Sequence, residues 1–313
     1  GQEHFYFGAE INSYEYIDAD DADYRVLEVD TGFKGKLQNK HRWRLGVDLR
    51  DSDKTYVSRF SAQPFTFRGQ DASDRYDYER LQPYAKLDWK LSADTELELE
   101  LAWRDQDYTD LTNLGLTNLS YQQWMLEASL EHDLSDKLVV STFAEYRDRE
   151  FDQRLAEDAN GNDLPNTNSS YQYASVGFGL KYEFNDSTKI SAKISYLDRS
   201  DNGGGFYEYD DFKASLWLRH KGNSKDKWTL YLLYGDLEYS RDIAINDPSF
   251  EANDEAPSRD GLSATLEYER ELTTLWGGEL NWYTSLRFYD YSSPNPVYTY
   301  DRLKIETGFK LSL

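Results

Sequence analysis

The chain has 313 residues, of which 35 are basic and 58 are acidic, giving a net charge of −23 at neutral pH. This balance excludes a general affinity for nucleic acid, whose phosphates need a basic surface. The chain has no cysteine, only one Met and only four His, so we expect no disulfide, no metal and no cofactor. Acidic chains with few aromatic residues are usually disordered, but 8 Trp, 26 Tyr and 15 Phe indicate a folded protein.

The dominant pattern is an alternation of apolar and polar residues with a period of two. In one segment, Leu97, Leu99 and Leu101 share one face, whereas Glu98 and Glu100 share the other. Such alternation predicts strands. We expect about 14 of them, in chain order at 4–17, 24–38, 42–52, 75–92, 96–109, 119–134, 137–152, 171–185, 189–200, 206–221, 227–241, 259–272, 278–291 and 298–313.

These segments suit a membrane better than a soluble sheet. No apolar run approaches the roughly 18 residues of a membrane helix. Strands of a soluble β-sandwich or large antiparallel sheet, the alternative, average about five or six residues. Longer segments fit tilted strands that cross a bilayer in about 9–11 residues. The sequence therefore predicts an all-β fold: one domain, residues 1–313, forming a transmembrane antiparallel up-and-down β-barrel. Pro83 lies inside the fourth segment, where we expect a bulge.

The connections alternate in length, which predicts an orientation. Tight turns follow the even strands, and longer acidic loops follow the odd ones, the longest at about 53–74, 153–170 and 242–258. Short periplasmic turns and long extracellular loops are typical of the bacterial outer membrane, where lipid and lipopolysaccharide would surround the chain. The acidic loops would either concentrate cations at the mouth or form a solvated rim, with or without divalent ions bridging lipopolysaccharide.

Aromatic residues cluster towards both ends of the strands and predict two interfacial girdles. The short-turn girdle would contain Phe5, Phe7, Phe33, Trp43, Trp89, Phe184, Trp228 and Phe309. The long-loop girdle would contain Tyr16, Tyr24, Tyr76, Tyr78, Tyr108, Tyr146, Tyr196, Tyr207, Tyr209, Tyr239, Tyr289, Tyr291 and Tyr300.

If the apolar set faces lipid, the polar set lines the lumen. Unpaired charges are too costly for a dry core, so the lumen is either hydrated or bridged by ion pairs. Both alternatives stay open at any one residue. Tyr84 and Tyr283 would offer sugars a stacking surface. The charged pore-lining candidates are Arg42, Arg44, Arg50, Arg80, Lys86, Lys90, Glu98, Glu100, Glu127, Glu131, Lys193, Lys213, Arg219, Glu267, Glu269 and Arg287.

The loop at 53–74 has an unusual composition for an exposed loop. It contains Arg59, Phe65, Phe67 and Arg68. We expect these side chains to fold inward and constrict the pore; the alternative is a hairpin standing above the membrane.

Signatures for other chemistry are weak. The segment 157–163 resembles a calcium loop, but Ala156 would occupy the first ligand position and cannot ligate. A polar loop tip is therefore favoured. The sequence contains no G-x-S-x-G motif and no Ser-His or Asp-His spacing that would indicate an enzyme. The glycines at 203–205 predict a loop, because a strand rather than a helix follows them.

Taken as a whole, the alternating segments and girdles resemble bacterial outer-membrane porin-like barrels. The resemblance implies a passive channel for small polar solutes or oligosaccharides. One alternative is a conduit that exports a cationic exopolysaccharide or belongs to a secretion complex, since the chain is also similar to barrel domains of such exporters; it would require a periplasmic or secretion partner. Another is a non-conducting structural or adhesive barrel acting through its loops.

Overall fold

Fourteen long strands make up almost all of the described chain. The computed structural model describes residues 3–14, 24–38, 40–56, 63–222, 225–240, 258–275, 278–294 and 299–312. The strands are β1 His4–Tyr14, β2 Tyr24–Leu37, β3 His41–Lys54, β4 Tyr78–Lys90, β5 Thr95–Tyr108, β6 Tyr121–Ser135, β7 Leu138–Glu157, β8 Asp163–Asn185, β9 Thr188–Asp201, β10 Tyr209–Lys221, β11 Asp226–Tyr239, β12 Arg259–Leu275, β13 Gly278–Ser292 and β14 Tyr300–Ser312.

These strands form one 14-stranded sheet in which each strand pairs with its neighbours in sequence. The pairing is antiparallel throughout. This up-and-down order confirms the fold class predicted from the alternating segments. Within the described ranges, no helix has the length and apolar character needed to cross a membrane.

The two faces of the sheet differ as the alternation predicts, because successive side chains in a strand point to opposite sides. One face carries large apolar side chains that are exposed, such as Phe7, Leu45 and Trp124. The other carries most of the charged groups. In an outer-membrane barrel the apolar face meets lipid and the polar face lines the interior. We call them the outer face and the interior face.

Two predictions about the strands are wrong. The predicted loop 153–170 is largely strand: β7 has 20 residues and β8 has 23, and their ladder continues to the pair Glu157–Asp163. Pro83 causes no bulge. The β4–β5 ladder omits Gln82 and Pro83 but resumes in the same register at Tyr84–Ala102. The missing Pro N–H therefore interrupts the ladder without inserting a residue.

Most tyrosines of the predicted long-loop girdle lie on the interior face of the sheet, and not on the outer face as a lipid-facing girdle requires. Tyr146 and Tyr196 lie on the outer face and are exposed. In contrast, Tyr78 and Tyr108 follow the parity of Arg80 and Arg104 on the interior face. Tyr209, Tyr239, Tyr289 and Tyr291 also have interior parity, and Tyr207 is buried in an interior cluster. Tyr16 lies outside the described residues.

Candidate functional site

Residues that pair across strands form rows that run over the interior face. One row joins Lys34, Arg44 and Lys86 on β2–β4 to Glu100 and Glu127 on β5–β6. The row continues to Glu145 on β7. Like charges directly opposite each other are destabilising in a sheet. The row therefore does not optimise stability; it sets a basic patch beside an acidic one, with the boundary between Lys86 and Glu100.

Ion pairs join the two patches at their boundary. Lys86 Nζ lies 2.6 Å from Glu98 Oε1 and 3.9 Å from Glu100 Oε2. Arg42 Nε lies 2.9 Å from Asp88 Oδ2, and its Nη2 lies 2.7 Å from Glu96 Oε1. Wall pairing, one of the two alternatives left open by the sequence, therefore holds at these positions.

Every predicted pore-lining residue has interior parity, but not all have the same role. Arg80 forms an ion pair with Asp48, and Arg50 Nη1 lies 2.6 Å from Glu28 Oε1. Lys227, which was not among the candidates, pairs with Glu269 at 3.1 Å. That these residues line an open pore stays a prediction. The basic end near β1 also encloses a cavity of about 580 Å³ bordered by Lys34, Lys36, Arg42, Arg44 and Lys86.

Several interior charges are well exposed to solvent. Lys181 and Glu131 form an ion pair of 3.0 Å while their side chains remain 59% and 51% exposed. The pair between Lys189 and Glu183 is half-exposed as well. Exposed pairs contribute little to stability, with a median of about 0–1 kcal/mol. Their exposure on the interior face indicates water rather than a dry core at this level.

The opposite end of the interior face, beside the long loops, is built from arginines and aromatic rings. Tyr121, Phe151, Tyr171, Tyr173 and Tyr207 form a buried cluster. A single cross-strand row over β7–β11 alternates the two residue types over its first four strands and ends in a second tyrosine. We call this row the arginine–tyrosine track; its members are Arg147, Tyr173, Arg199, Tyr209 and Tyr239.

Guanidinium groups stack on the rings along the arginine–tyrosine track. Arg147 lies 4.6 Å from the ring centroid of Tyr173, and Arg199 lies 4.1 Å from that of Tyr209. In the adjacent row, Arg149 lies 4.0 Å from the ring of Tyr121. These contacts are cation–π interactions, each contributing about 0.5–2 kcal/mol. They fix the arginines in place beside a cavity of about 430 Å³.

A loop holds this end together. The carboxylate of Asp201 accepts hydrogen bonds from the backbone N–H groups of Gly203, Gly205 and Tyr207. Gly204 N–H donates to Glu157 O at 2.8 Å, at the tip of the β7–β8 hairpin. The Tyr207 hydroxyl donates to Glu157 Oε1 at 2.5 Å, and burial together with this hydrogen bond raises the pKa of Tyr207. The predicted Gly203–Gly205 loop is confirmed, and its role is to dock on the hairpin.

The predicted constriction loop forms a small core of its own. Phe65 is buried with Tyr56, Ala72 and Leu116, and Phe67 packs against them. Leu116 belongs to the loop after β5, which contains the short 3₁₀ helix Thr112–Leu114. Arg68 is exposed, and Arg59 lies outside the described residues. Two loops therefore pack together here; whether they narrow a pore stays a prediction.

Other predicted features have structural explanations. In the segment 157–163, Asp158 Oδ1 accepts hydrogen bonds from the N–H groups of Asn160 and Asn162. The segment is therefore a polar hairpin tip.

His41 stacks on Trp89 with 4.4 Å between the ring centroids, and its Nδ1 accepts a hydrogen bond from the Lys90 N–H. The acidic residues that the sequence places in the long loops at 18–23 and 247–255 lie outside the described residues.

Sequence reasoning missed the arginines of the long-loop end: Arg147, Arg149, Arg154, Arg199 and Arg259. They lie on three different strands, β7, β9 and β12, and a single strand does not reveal its register with the next. One signal was present: Arg147 and Arg149 share a parity, as do Tyr171 and Tyr173 in the following strand. Pairing these segments would have brought the four side chains together.

No protein-family model and no curated protein sequence matches this chain. Among solved structures, it is similar to a bacterial polysaccharide outer membrane secretin (12% identity, TM-score 0.53, covering 99% of this chain and 86% of that one). It is also similar to CdiB from Acinetobacter baumannii (10%, TM-score 0.59, 99% and 54%). A third is a mutant of the ferric enterobactin receptor PfeA from Pseudomonas aeruginosa (9%, TM-score 0.50, 92% and 53%). The chain thus spans about half the length of the last two.

At these identities the likeness concerns the fold and not the activity. The fold agrees with the 14-stranded sheet, the apolar outer face and the charged interior face. It is the fold of proteins embedded in the bacterial outer membrane, the localisation that the sequence predicts. The chain has the architecture of the bacterial outer-membrane β-barrels.

Proposed function

We propose that this protein is an outer-membrane channel through which small polar or charged solutes, saccharides included, pass by diffusion. The observation that carries the proposal is the exposure of the interior charges, with Lys181 and Glu131 each more than half exposed on the interior face. Charges that keep water around them line a hydrated path, whereas a filled barrel would bury them.

The distribution of charge supports selectivity as well as passage. The basic patch of β2–β4 stands beside the acidic patch of β5–β7, and a wall of separated charges orients dipolar or charged solutes. The tyrosines at the long-loop end add surfaces on which sugar rings can pack.

A liposome-swelling assay tests passage directly. Proteoliposomes that contain the refolded full chain should swell in iso-osmotic arabinose at a rate proportional to protein content, because the sugar enters with water. The control is liposomes containing the same protein that was heat-denatured before reconstitution. Swelling no faster than this control would contradict the proposal.

A second candidate is an export conduit for a polysaccharide. The same Arg- and Tyr-rich lining that suits an entering saccharide also suits a leaving one, since a passive wall sets no direction. The fold shared with a polysaccharide secretin is compatible with this candidate. Export would require a periplasmic partner, so co-purification of such a partner with the native protein would favour it.

A further inference from the structure

We infer that the arginine–tyrosine track, together with Arg149 in the adjacent row, is a binding site for a saccharide that carries carboxylates. The inference deepens the proposed function, on which it rests for access through the interior. It assigns to the long-loop end a ligand class that neither the fold nor the overall charge of −23 suggests.

Two arginines that line the cavity are anchored by side-chain contacts. Arg147 pairs through Nε with Glu145 Oε1 at 2.5 Å, and Arg149 donates from Nε to Gln123 Oε1 at 2.9 Å. Their flat faces stack on rings of Tyr173 and Tyr121. Within the described part of the chain, no acceptor takes up the Nη atoms of either arginine. These in-plane donors therefore remain for a ligand, and a guanidinium presents them in the geometry that matches a carboxylate.

The charged residues that line the cavity are mostly positive. Its described lining contains five arginines, Arg147, Arg149, Arg154, Arg199 and Arg259, against one carboxylate, Asp211. Glu145, which pairs with Arg147 from outside the lining, offsets one of these positive charges. Asp211 already forms an ion pair with Lys213. Arg154 and Arg199 are 3% and 5% exposed, so part of this charge acts in a region with little water, where electrostatic interactions are stronger. A cavity of this kind favours an anion over a neutral or cationic solute.

The extended shape of the site favours a saccharide over a small anion. The track crosses five adjacent strands, so it spans four inter-strand spacings, or about 19 Å. The rings of Tyr209 and Tyr239 lie 5.1 Å apart at one end. An extended row of rings and cations fits a chain of sugar rings that bear carboxylates at intervals. An inorganic anion would occupy only a small part of this row.

Equilibrium binding to the refolded full chain in detergent micelles tests the inference without relying on passage. Isothermal titration would compare a six-residue uronic acid oligosaccharide, the neutral maltohexaose and inorganic sulfate. We expect the uronate to bind at least about tenfold more tightly than maltohexaose at low salt, and to weaken as salt is added, because screening reduces the attraction. Equal affinity for the neutral hexamer would overturn the inference. Sulfate binding as tightly as the uronate would reduce the site to one for simple anions and would also overturn it.

Matched variants locate the site. Arg149→Gln should lower the affinity for the uronate by about tenfold, since it removes a charge-assisted contact worth about 1.5–3 kcal/mol. Arg147→Gln provides the same test if the first variant fails to fold, which heat-dependent gel mobility reveals. Arg25→Gln is the control, because it removes the same charge from an exposed side chain that lies outside the interior face. Loss of binding in the control alone would contradict the assignment.

Binding and passage can fail separately. Uronate binding by a protein that does not swell liposomes would support the binding site and contradict the channel. Swelling without any preference for the uronate would support the channel and contradict the binding site.

Discussion

The hydroxyl oxygens of Tyr6 on β1 and Tyr84 on β4 lie 2.6 Å apart, although two strands separate them. The rings reach each other over Gly32 and Gly46, the two residues between them in the same cross-strand row. Tyr84 also donates to Asp30 Oδ1 at 2.8 Å. This contact ties the first strand to the fourth on the interior face, and it exists only because the two intervening positions have no side chain.

A side chain at Gly46 should therefore weaken the barrel. A Cβ there would lie 2.1 Å from the Tyr6 hydroxyl and 2.8 Å from Tyr84 Cζ. We expect Gly46→Val to destabilise the folded protein by about 1–3 kcal/mol, in the range of overpacked sites. Urea unfolding in detergent, followed by tryptophan fluorescence, measures the change. Gly235→Ala is the control, because nothing lies within 4 Å of a Cβ at that position. Equal stability of the Gly46 variant and the wild type would show that the two rings do not depend on this gap.

Lys86 should influence ion selectivity because it lies at the boundary between the basic and acidic patches. Lys86→Gln removes the cation beside Glu98 and Glu100, which leaves three glutamates of the row less compensated. We expect the reversal potential in a salt gradient to shift towards cation preference, and Glu100→Gln to shift it the other way. Arg25→Gln changes the net charge equally but lies outside the interior face, so it should cause little shift. Shifts of the same sign for the two interior variants would contradict the role of this boundary.

The packed loop after β3 should loosen as the pH rises through about 6. Burial raises the pKa of Asp77 from 3.8 to about 6, with further contributions from nearby Asp53, Asp74 and Asp51, although the Lys54 N–H donates to it at 2.6 Å. Because the folded-state pKa lies above the ordinary value, the proton stabilises the folded loop below about pH 4, and this contribution is lost as the pH rises through 6.

Hydrogen exchange of the amides around Tyr56 and Ala72, whose N–H groups hydrogen-bond within the loop, measures this effect. After correction for intrinsic exchange, protection should be higher at pH 5 than at pH 7.5. Asp77→Asn should make protection nearly independent of pH in this window. Greater protection at pH 7.5 in the wild type would reverse the sign and contradict the assignment to Asp77.

Gly204 should be required for the docking of its loop on the β7–β8 hairpin. A Cβ at Gly204 would lie 2.0 Å from the backbone N of Ala159, which is not free to move. We expect Gly204→Ala to release the loop and increase proteolytic cleavage within residues 201–208. Gly222→Ala, where the nearest atom would be 3.4 Å from the new Cβ, is the control. Unchanged protease resistance of the Gly204 variant would show that the loop docks without this close approach.

The strands and the two faces could be predicted from the sequence, whereas the composition of the long-loop end could not. Alternation in single strands reveals parity, so Lys86, Glu98 and Glu100 were placed correctly on the interior face. Near the strand ends the apolar pattern stops, and tyrosine fits either face; Tyr108 and Tyr239 were therefore assigned to the wrong side. The arginine–tyrosine track depends on register between five strands, which the side-chain pattern within one strand does not encode.

Single-channel recording in a planar bilayer tests the central claim, an open and hydrated interior, most directly. The purified full chain should produce discrete, stable conductance steps whose size increases with salt concentration, because ions cross through water. The Lys86→Gln variant should give the same number of steps per insertion with a changed reversal potential. A protein that inserts in folded form, as judged by heat-dependent gel mobility, and yet conducts no current would contradict the account.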